Sequence, residues 1–319
     1  MSKISVVVTS YNPSWEKLFA TLQSIASQRN VDFDVVIADD GSQRNYFEDI
    51  ERYFDSISFK NYVLTAQEQN AGIVKNFLNG VRHAKGAYIK GLGVGDLLFA
   101  PDSLKTLLDR MMESHAEVCI TNYSAYSREN GIIQEKSIRR FPQNTRVFEN
   151  AKQLKKHYLL WGDRASGCCT AFLRDTLLRY LEMIDGRVIF AEDMILRMMV
   201  FDECKFISIP SVISWYEVGS GVSTSGSSIW GDRLEQDWET VTKMLMERCK
   251  DCDDKAFAAK YVRRSNAHLE FRQDMSFSKH LRYYLSNLGI LFFRLKVQAA
   301  PKMTPCTKDT AFLNSCYRA

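Results

Sequence analysis

The chain lacks the features that mark several large classes of protein. It has only six prolines and sixteen glycines in 319 residues, too few for a fibrous or disordered chain. A short valine run at residues 6–8 is too brief for the core of a secretory signal. The formal net charge of +4 is small, so the composition does not indicate nucleic acid as a partner.

The cysteines do not form a disulfide framework or a metal-binding pattern. Eight cysteines are scattered along the chain, and without a secretory signal they indicate reduced thiols in a cytoplasmic protein. Cys249 and Cys252 have CxxC spacing, but no second such pair accompanies them and no strand-to-helix redox context surrounds them. We therefore expect neither a structural metal nor a redox site there.

Strands and helices are expected to alternate through most of the chain. Short apolar, β-branched runs predict strands, and the stretches between them carry apolar residues at helical spacing. The predicted strands cover residues 4–9, 33–38, 61–65, 87–92, 117–123 and 168–173. This order predicts an α/β fold with a doubly wound, mostly parallel sheet over residues 1–225 and a helical region over 226–319.

Two adjacent carboxylates, Asp39 and Asp40, directly follow the second predicted strand. Burying an ionised carboxylate without a partner costs several kcal/mol. We therefore expect the pair at the carboxyl ends of the strands, where open α/β sheets bind ligands. The alternative is a surface turn in which Gly41 takes a positive φ.

A second pair of carboxylates, Glu192 and Asp193, lies at the start of a predicted helix over residues 194–201. Adjacent carboxylates raise one another's pKa, which suits proton abstraction. The alternative is that both merely interact with the positive end of the helix dipole.

Taken together, several segments resemble the family-two glycosyltransferases with the GT-A fold. The matching segments occur in that family's order over residues 1–225 and are residues 6–12 (VVVTSYN), 39–42 (DDGS), 70–72 (NAG) with Lys75 and Asn76, 84–89, Arg174, 192–193 and 216–219 (YEVG). The resemblance implies that an acceptor hydroxyl displaces a nucleotide diphosphate from a sugar with inversion at the anomeric carbon.

The resemblance also implies a role for individual residues. Asp193 would be the general base, with Glu192 beside it to orient the acceptor or tune the base. The remaining site residues would bind the nucleotide sugar (Thr9, Tyr11, Asp39, Asp40, Asn70, Gly72, Lys75 and Asp96) and the acceptor (Arg174, Trp215 and Tyr216). Tyr11 offers a stacking face, and a carboxylate can accept the ring N–H of uracil. A solvated helix lysine is the alternative for Lys75.

The metal motif of the family is only partly present. Gly93 and Gly95 occupy the positions where the family usually has aspartates, and only the trailing Asp96 remains. One carboxylate with diphosphate oxygens can hold Mg²⁺ or Mn²⁺, since Mg²⁺ keeps several waters. Gly219 stands where the family often has a histidine. A dinucleotide fingerprint over residues 91–95 is not expected, because its third glycine is missing.

Residues 280–297 are rich in leucine and aromatic side chains and carry arginines near both ends. Eleven uncharged residues between Arg282 and Arg294 are too few for a membrane span, which needs about 20. Basic ends and aromatic residues are typical of an interfacial helix on an anionic leaflet. The alternative is a helix packed on the rest of the chain or on a second copy.

The resemblance thus implies a hexosyltransferase that uses a UDP-sugar and a lipid-linked, polyprenyl-diphosphate saccharide in the synthesis of bacterial surface polysaccharide, O-antigen or capsule. We expect it at the cytoplasmic face of the inner membrane, as a peripheral protein. Two alternatives stay open. One is a non-catalytic partner of an active transferase. The other is a sugar-nucleotide nucleotidyltransferase, which would need a glycine-rich phosphate loop that residues 10–13 do not provide.

Overall fold

A computed structural model describes residues 3–136, 147–148, 150–162, 164–219, 228–286, 288–289, 292, 295 and 310–318 of the chain. The strands are β1 (Ile4–Ser10), β2 (Phe33–Asp39), β3 (Tyr62–Ala66), β4 (Tyr88–Gly93), β5 (Leu97–Leu98), β6 (Val118–Glu129), β7 (Ile132–Lys136), β8 (Thr170–Leu173) and β9 (Phe206–Glu217).

The helices lie between the strands and at the end of the chain. They are α1 (Trp15–Ala26), α2 (Phe47–Ser56), α3 (Ile73–His83), α4 (Ser103–Ser114), α5 (Ala151–Leu154), α6 (Arg174–Ile184), α7 (Ile195–Phe201), α8 (Ser228–Arg248), α9 (Lys255–Gln273), α10 (Phe277–Ser286) and α11 (Ala311–Arg318). A π-helical segment, Lys155–Trp161, continues α5, and 3₁₀ turns cover Gly167–Cys169 and Glu192–Met194.

The strands form one sheet in the order β3-β2-β1-β4-β8-β6-β9-β5, with β7 paired to β6. Strands β1 to β4 are mutually parallel, and β8 lies antiparallel between β4 and β6. Because β9 is parallel to β6, most of the strands run in one direction and only the shorter β5, β7 and β8 run against them. The predicted α/β fold with a mostly parallel sheet is confirmed.

Both faces of the sheet are buried, as the continuous apolar runs predict. Val6 and Val8 face α1, α2 and α4, whereas Val7 faces α3, and the same alternation holds along β2. Helix α3 lies close to the sheet because residue 80 is glycine. A Cβ there would come within 2.5 Å of Val7 Cγ1, so a larger residue would push the helix away.

The C-terminal helices pack on the rest of the chain. Val241, Leu245 and Tyr261 of α8 and α9 belong to the same buried cluster as α3, α6 and α7. Leu313 of α11 packs in a separate cluster with Trp215 of β9 and Ala20 of α1. The helical C-terminal part is confirmed, and the boundary predicted at residue 225 lies outside the described residues.

Some predicted elements differ from the observed ones. Strand β6 continues beyond the predicted end at residue 123 to Glu129 and forms an antiparallel hairpin with β7. The spacing of apolar residues in this stretch does not indicate the hairpin. The predicted helix after Glu192 starts as a 3₁₀ turn. Part of the predicted helix over residues 280–297 lies outside the described residues. In the part of the chain that the structure describes, no helix is long and apolar enough to cross a membrane, and every cysteine is a free thiol.

Candidate active site

The loops that follow β1 and β2 are bonded to each other at the carboxyl edge of the sheet. The backbone N–H of Asn12 donates to Ser42 Oγ (2.7 Å), and the N–H of Gln43 donates to Asn12 Oδ1 (3.0 Å). Tyr11 lies in the first of these loops with about half of its surface exposed (53%). The ring is therefore available for stacking beside the Asp39–Asp40 pair.

Asp39 and Asp40 both accept hydrogen bonds that fix loops. Asp39 accepts from the N–H and the hydroxyl of Ser42 at 2.8 and 2.6 Å, and so shapes its own turn. Asp40 accepts from the backbone N–H groups of Ala71 and Gly72 at 2.8 and 3.0 Å. Burial raises the pKa of Asp40, while these two N–H groups oppose the rise. The pair thus lies at the predicted edge and also orders the loop before α3.

Gly72 connects that loop to the second carboxylate pair. It has a φ of +93°, and a Cβ there would come within 2.4 Å of Ile189 Cγ2. The N–H of Val74 donates to the carbonyl of Ile189 at 3.1 Å. Only glycine allows this contact, which brings the segment before Glu192 against the start of α3.

A cavity of about 270 Å³ lies between the carboxyl ends of β1 and β4 and the turn at Glu192–Met194. Its wall contains five of the residues predicted from the sequence: Thr9, Asp96, Glu192, Asp193 and Tyr216. Three carboxylates of the predicted site therefore share one concave space. Small residues keep the space open, because a Cβ on Gly167 would lie 3.0 Å from Glu192 Oε1.

The carboxylates of this cavity are poised to hold or accept protons. Burial, followed by the charge of Asp193, raises the pKa of Glu192 to about 8. Burial also raises the pKa of Asp193, against the opposing charge of Arg164. Because the two groups are adjacent, they titrate as a pair, and burial favours the neutral form of each.

Asp96 lines the same cavity. Burial raises its pKa to about 7, although its Oδ1 accepts the N–H of Glu217 at 3.1 Å and the charge of Lys90 opposes the rise. Lys90 is buried in turn, and its Nζ donates to the carbonyls of Cys168 (2.7 Å) and Thr170 (3.3 Å). Lys90 therefore anchors the wall of the cavity that faces Glu192.

Another carboxylate, Glu217, reaches this region from β9. A Cβ on Gly95 would lie 2.5 Å from Glu217 Oε2, so the Glu217 side chain occupies the space that a side chain at 95 would need. Glu217 Oε2 also accepts from Lys17 Nζ at 2.8 Å. The described residues contain no cluster of three His, Cys, Asp or Glu side chains able to hold a metal.

Helix α8 holds the segment that leads to Glu192. The buried carboxylate of Asp237 accepts from the backbone N–H groups of Ile189 (3.0 Å), Phe190 (2.7 Å) and Ala191 (2.9 Å). Three successive N–H groups thus converge on one carboxylate, an arrangement that satisfies donors which would otherwise be buried without partners. The C-terminal helices therefore position the second carboxylate pair.

Eight predicted site residues do not line the cavity. Five of them lie in the loops at the carboxyl edge of the sheet (Tyr11, Asp39, Asp40, Asn70 and Gly72), and the other three lie elsewhere. Lys75 lies exposed on the first turn of α3. Arg174 follows the end of antiparallel β8, and its N–H donates to the carbonyl of Ala87 at the edge where β4 begins, opposite the cavity. Trp215 is buried on the other face of β9 from Tyr216 and stacks on Phe99. Of the three residues predicted to bind the acceptor, only Tyr216 lines the cavity.

Sequence reasoning missed Glu217, Lys17 and Asp237. Glu217 lies inside a segment already singled out, next to Tyr216, so its position carried a signal. Lys17 and Asp237 carried none, because each bonds a group far away along the chain.

The sequence model described as "Glycosyl transferase family 2" matches residues 5–181, more than half of the chain. Two curated relatives come from Streptococcus pneumoniae serotype 4. "Glycosyltransferase GlyA" is 25% identical over 170 residues, which are 50% of this chain and 24% of that protein. "Glycosyltransferase GlyG" is 30% identical over 129 residues, 40% of this chain and 41% of that protein. The chain thus matches less than half the length of either relative.

Solved structures of S. aureus TarS residues 1–349 show the same fold. The complex with UDP matches with a TM-score of 0.55 and 17% identity, over 93% of this chain and 82% of that one. The complex with UDP-GlcNAc matches with a TM-score of 0.57 and 17% identity, over 93% and 83% of the two chains. At this identity the likeness concerns the fold.

Replacing Asp237 by asparagine should loosen the segment at 189–191. An amide nitrogen would face a backbone N–H where a carboxylate oxygen now accepts one, so we expect a loss of about 1–3 kcal/mol in the free energy of unfolding. Urea denaturation measures this loss, and hydrogen exchange should accelerate at the amides of Ile189, Phe190 and Ala191. Asp232→Asn, at an exposed position of α8, is the control. Unchanged exchange at the three amides would contradict the role of Asp237.

Replacing Glu192 by glutamine should stabilise the protein at high pH. The folded protein keeps a proton on Glu192 up to about pH 8, whereas the unfolded chain loses it near the ordinary value of 4.5. Wild-type stability from this group is therefore complete below pH 4.5 and is lost as the pH rises to about 8. We expect Glu192→Gln to gain about 1–3 kcal/mol over wild type at about pH 8 and much less at about pH 5.

Urea denaturation at the two pH values measures this difference. Glu113→Gln, at an exposed position of α4, should show no such dependence on pH. A gain for Glu192→Gln that is equal at both pH values would show that the proton on Glu192 is not the cause.

Proposed function

Because the chain belongs to glycosyltransferase family 2, we propose that it is an inverting glycosyltransferase that moves a hexose from a UDP-sugar to a hydroxyl of a lipid-linked saccharide. The observation that carries this proposal is the shared cavity, in which Asp193 and Glu192 face Thr9 and Asp96 at the carboxyl edge of the sheet. Acid–base groups and a nucleotide-binding edge are the two parts that sugar transfer requires.

The nucleotide is assigned to the edge formed by the loops after β1 and β2. Tyr11 would stack on the base, and Asp39 and Asp40 would accept from the ring N–H or the ribose with the lone pairs that their loop bonds leave free. Asn70, Gly72 and Lys75 lie on the neighbouring loop and helix start. The structures of TarS with UDP and UDP-GlcNAc, on the same fold, support a UDP-sugar as the donor.

Asp193 is assigned as the general base. It takes the proton of the acceptor hydroxyl while the oxygen forms a bond to the anomeric carbon, and the bond from that carbon to the β-phosphate oxygen breaks, so UDP leaves with the electron pair. Burial raises the pKa of Asp193, which makes it a stronger base than an exposed aspartate. Glu192, protonated up to about pH 8, can donate a hydrogen bond to the acceptor beside it.

A divalent cation, Mg²⁺ or Mn²⁺, is the proposed cofactor, with Asp96 as its one protein ligand. The Oδ2 atom of Asp96 lies 3.8 Å from the position of a Cβ on Gly93, on the side where the family usually has an aspartate. Mg²⁺ needs few protein ligands when it also binds phosphate oxygens. When bound, it would neutralise charge on the departing diphosphate.

The acceptor is assigned to the side of the cavity that Tyr216 lines, and we place the enzyme on the cytoplasmic face of the inner membrane, in the synthesis of bacterial O-antigen or capsule. An exposed apolar stripe supports contact with a membrane surface. It consists of Phe277, Leu281, Leu285, Leu288, Phe292 and Leu295, spaced three or four residues apart. Tyr283 on the opposite side of α10 is buried and stacks on His268.

A non-catalytic partner subunit is the second candidate, and Gly93 and Gly95 favour it because they remove two carboxylates of the metal motif. Saturation-transfer NMR with UDP-glucose, UDP-galactose, UDP-GlcNAc and UDP-GalNAc, each with Mg²⁺, with Mn²⁺ and with a chelator, separates the candidates first. Absence of binding in every sample would favour the partner subunit or another nucleotide.

Asp193→Asn is expected to keep the affinity for the donor within about threefold and to lower kcat by about 10²–10⁴-fold, because the general base is lost. Release of UDP measures turnover, with a short-chain polyprenyl-diphosphate-linked N-acetylglucosamine as the acceptor. Asp175→Asn, at an exposed position of α6, should keep the wild-type rate. Full turnover by Asp193→Asn would rule out this base.

The double variant Leu281→Ser, Leu285→Ser should lose membrane contact. Because the substitutions remove two exposed leucine side chains from the stripe, we expect the protein to partition at least tenfold less than wild type into vesicles that contain about one third anionic lipid. Sedimentation with the vesicles measures the partition. Ile132→Ser, which removes an exposed apolar side chain from β7, is the matched control. Equal sedimentation of both variants would contradict the assignment of the stripe.

A further inference from the structure

Three arginines lie near the π-helical segment and the turn that follows it, and none of them forms an ion pair with a carboxylate of the described residues. The charge of Arg164 nevertheless opposes the rise in the pKa of Asp193 and of Glu235. Arg197 is on α7, Arg264 is on α9, and Arg164 precedes the turn at Gly167–Cys169. Arg197 and Arg264 are buried, with 7% and 6% of their surfaces exposed. Guanidinium groups stay charged, so burial without a counter-ion is costly.

Arg197 is satisfied by neutral groups. Its guanidinium donates to Thr242 Oγ1 (2.9 Å) and to the hydroxyl of Tyr261 (2.7 Å), and it lies 5.1 Å from the centre of the Trp238 ring. These contacts position the charge without neutralising it. Burial lowers the pKa of Arg197, and the neighbouring charges of Arg264 and Arg164 lower it further.

Arg264 has a buried donor without a partner. Its Nε is inaccessible to solvent and makes no hydrogen bond to the described residues. Its Nη2 lies 3.7 Å from the position of a Cβ on Gly162, the residue with a φ of +84° that follows the π-helical segment. Leaving a charged donor unsatisfied costs more than leaving a neutral one, and a bound anion would supply the missing acceptor.

None of the three arginines lines the cavity, but Arg164 lies close to its acceptor side. Arg164 is close enough to Asp193 to oppose the rise in its pKa. Tyr158 of the π-helical segment is near both groups, because the charge of Asp193 raises the pKa of Tyr158 and that of Arg164 lowers it. Ser166 and Gly167, two and three residues after Arg164, line the cavity itself.

A second groove, between the π-helical segment and α9, is also basic. It has a volume of about 600 Å³ and is lined by three cations, Lys156, Lys260 and Arg263, against one acid, Asp254. Its apolar wall includes Trp161, Leu285 and Leu288. Positive charge beside apolar surface fits an anionic group that is attached to a hydrocarbon chain.

We propose that Arg264, together with Arg197 and Arg164, binds the diphosphate of a lipid-linked acceptor between the π-helical segment and α9. Arginine suits this role, because its planar fork can give two parallel N–H bonds to phosphate oxygens. The site would hold the acceptor so that its sugar reaches Asp193. This inference rests on the proposed function, since it assigns the acceptor of that reaction.

The test measures binding of inorganic pyrophosphate and of farnesyl diphosphate to the full chain, by thermal shift and calorimetry, with UDP saturating the donor site. Both probes should raise the Tm of the wild type. Arg264→Gln should weaken the binding of both probes at least tenfold and leave the binding of UDP unchanged. Without any ligand, this variant should be at least as stable as the wild type, because an unpaired buried charge is removed.

Arg29→Gln removes the same charge from an exposed position and should bind both probes like the wild type. Arg164→Gln, also at an exposed position, should weaken the binding of both probes. This variant replaces Arg264→Gln in the test if Arg264→Gln fails to fold. Equal binding by the wild type and the Arg164 and Arg264 variants, or no binding by the wild type, would overturn the proposal. Binding of pyrophosphate but not of farnesyl diphosphate would overturn the lipid-linked source. Failure of UDP alone to bind would contradict the donor assignment, and the variants can then be compared without nucleotide.

Discussion

The cavity depends on backbone N–H groups that point at buried carboxylates. Asp40 accepts two of them at the start of α3, and Asp237 accepts three from residues 189–191. Ile189 lies between the two loops and contacts Gly72. Because each carboxylate satisfies several donors at once, the loops at the carboxyl edge of the sheet, the Glu192–Asp193 turn and α8 form one connected arrangement.

The same low-polarity surroundings that make these bonds strong also raise the pKa of the groups that face the cavity. Glu192 and Asp96 have pKa values of about 8 and about 7, and burial is the largest cause for both. Groups that titrate near neutral pH can exchange protons with a substrate, but they reduce the stability of the empty protein. Arg264, whose buried Nε has no hydrogen-bond partner among the described residues, lowers the stability of the empty protein further. Such costs are typical of sites arranged for a ligand.

Much of the fold could be predicted because its signals are local. The valine-rich runs become β1 and β2, and the Asp39–Asp40 pair lies at the carboxyl edge as expected, since parallel strands end together. The placement of Arg174 and Trp215 could not be predicted. It depends on the antiparallel direction of β8 and on which face of β9 each residue takes, and both follow from pairing with distant strands.

The sequence by itself determined the α/β alternation, the order of the motifs and three of the carboxylates that line the cavity (Asp96, Glu192 and Asp193). Strand runs, helical spacing and motif order are properties of neighbouring residues. Only the tertiary structure decided that Glu217 fills the space beside Gly95, that Asp237 holds the segment before Glu192, and that Arg264 faces Gly162. Each of these contacts joins residues that are far apart in the chain. Their geometry is set by how helices and strands pack, and no local pattern encodes it.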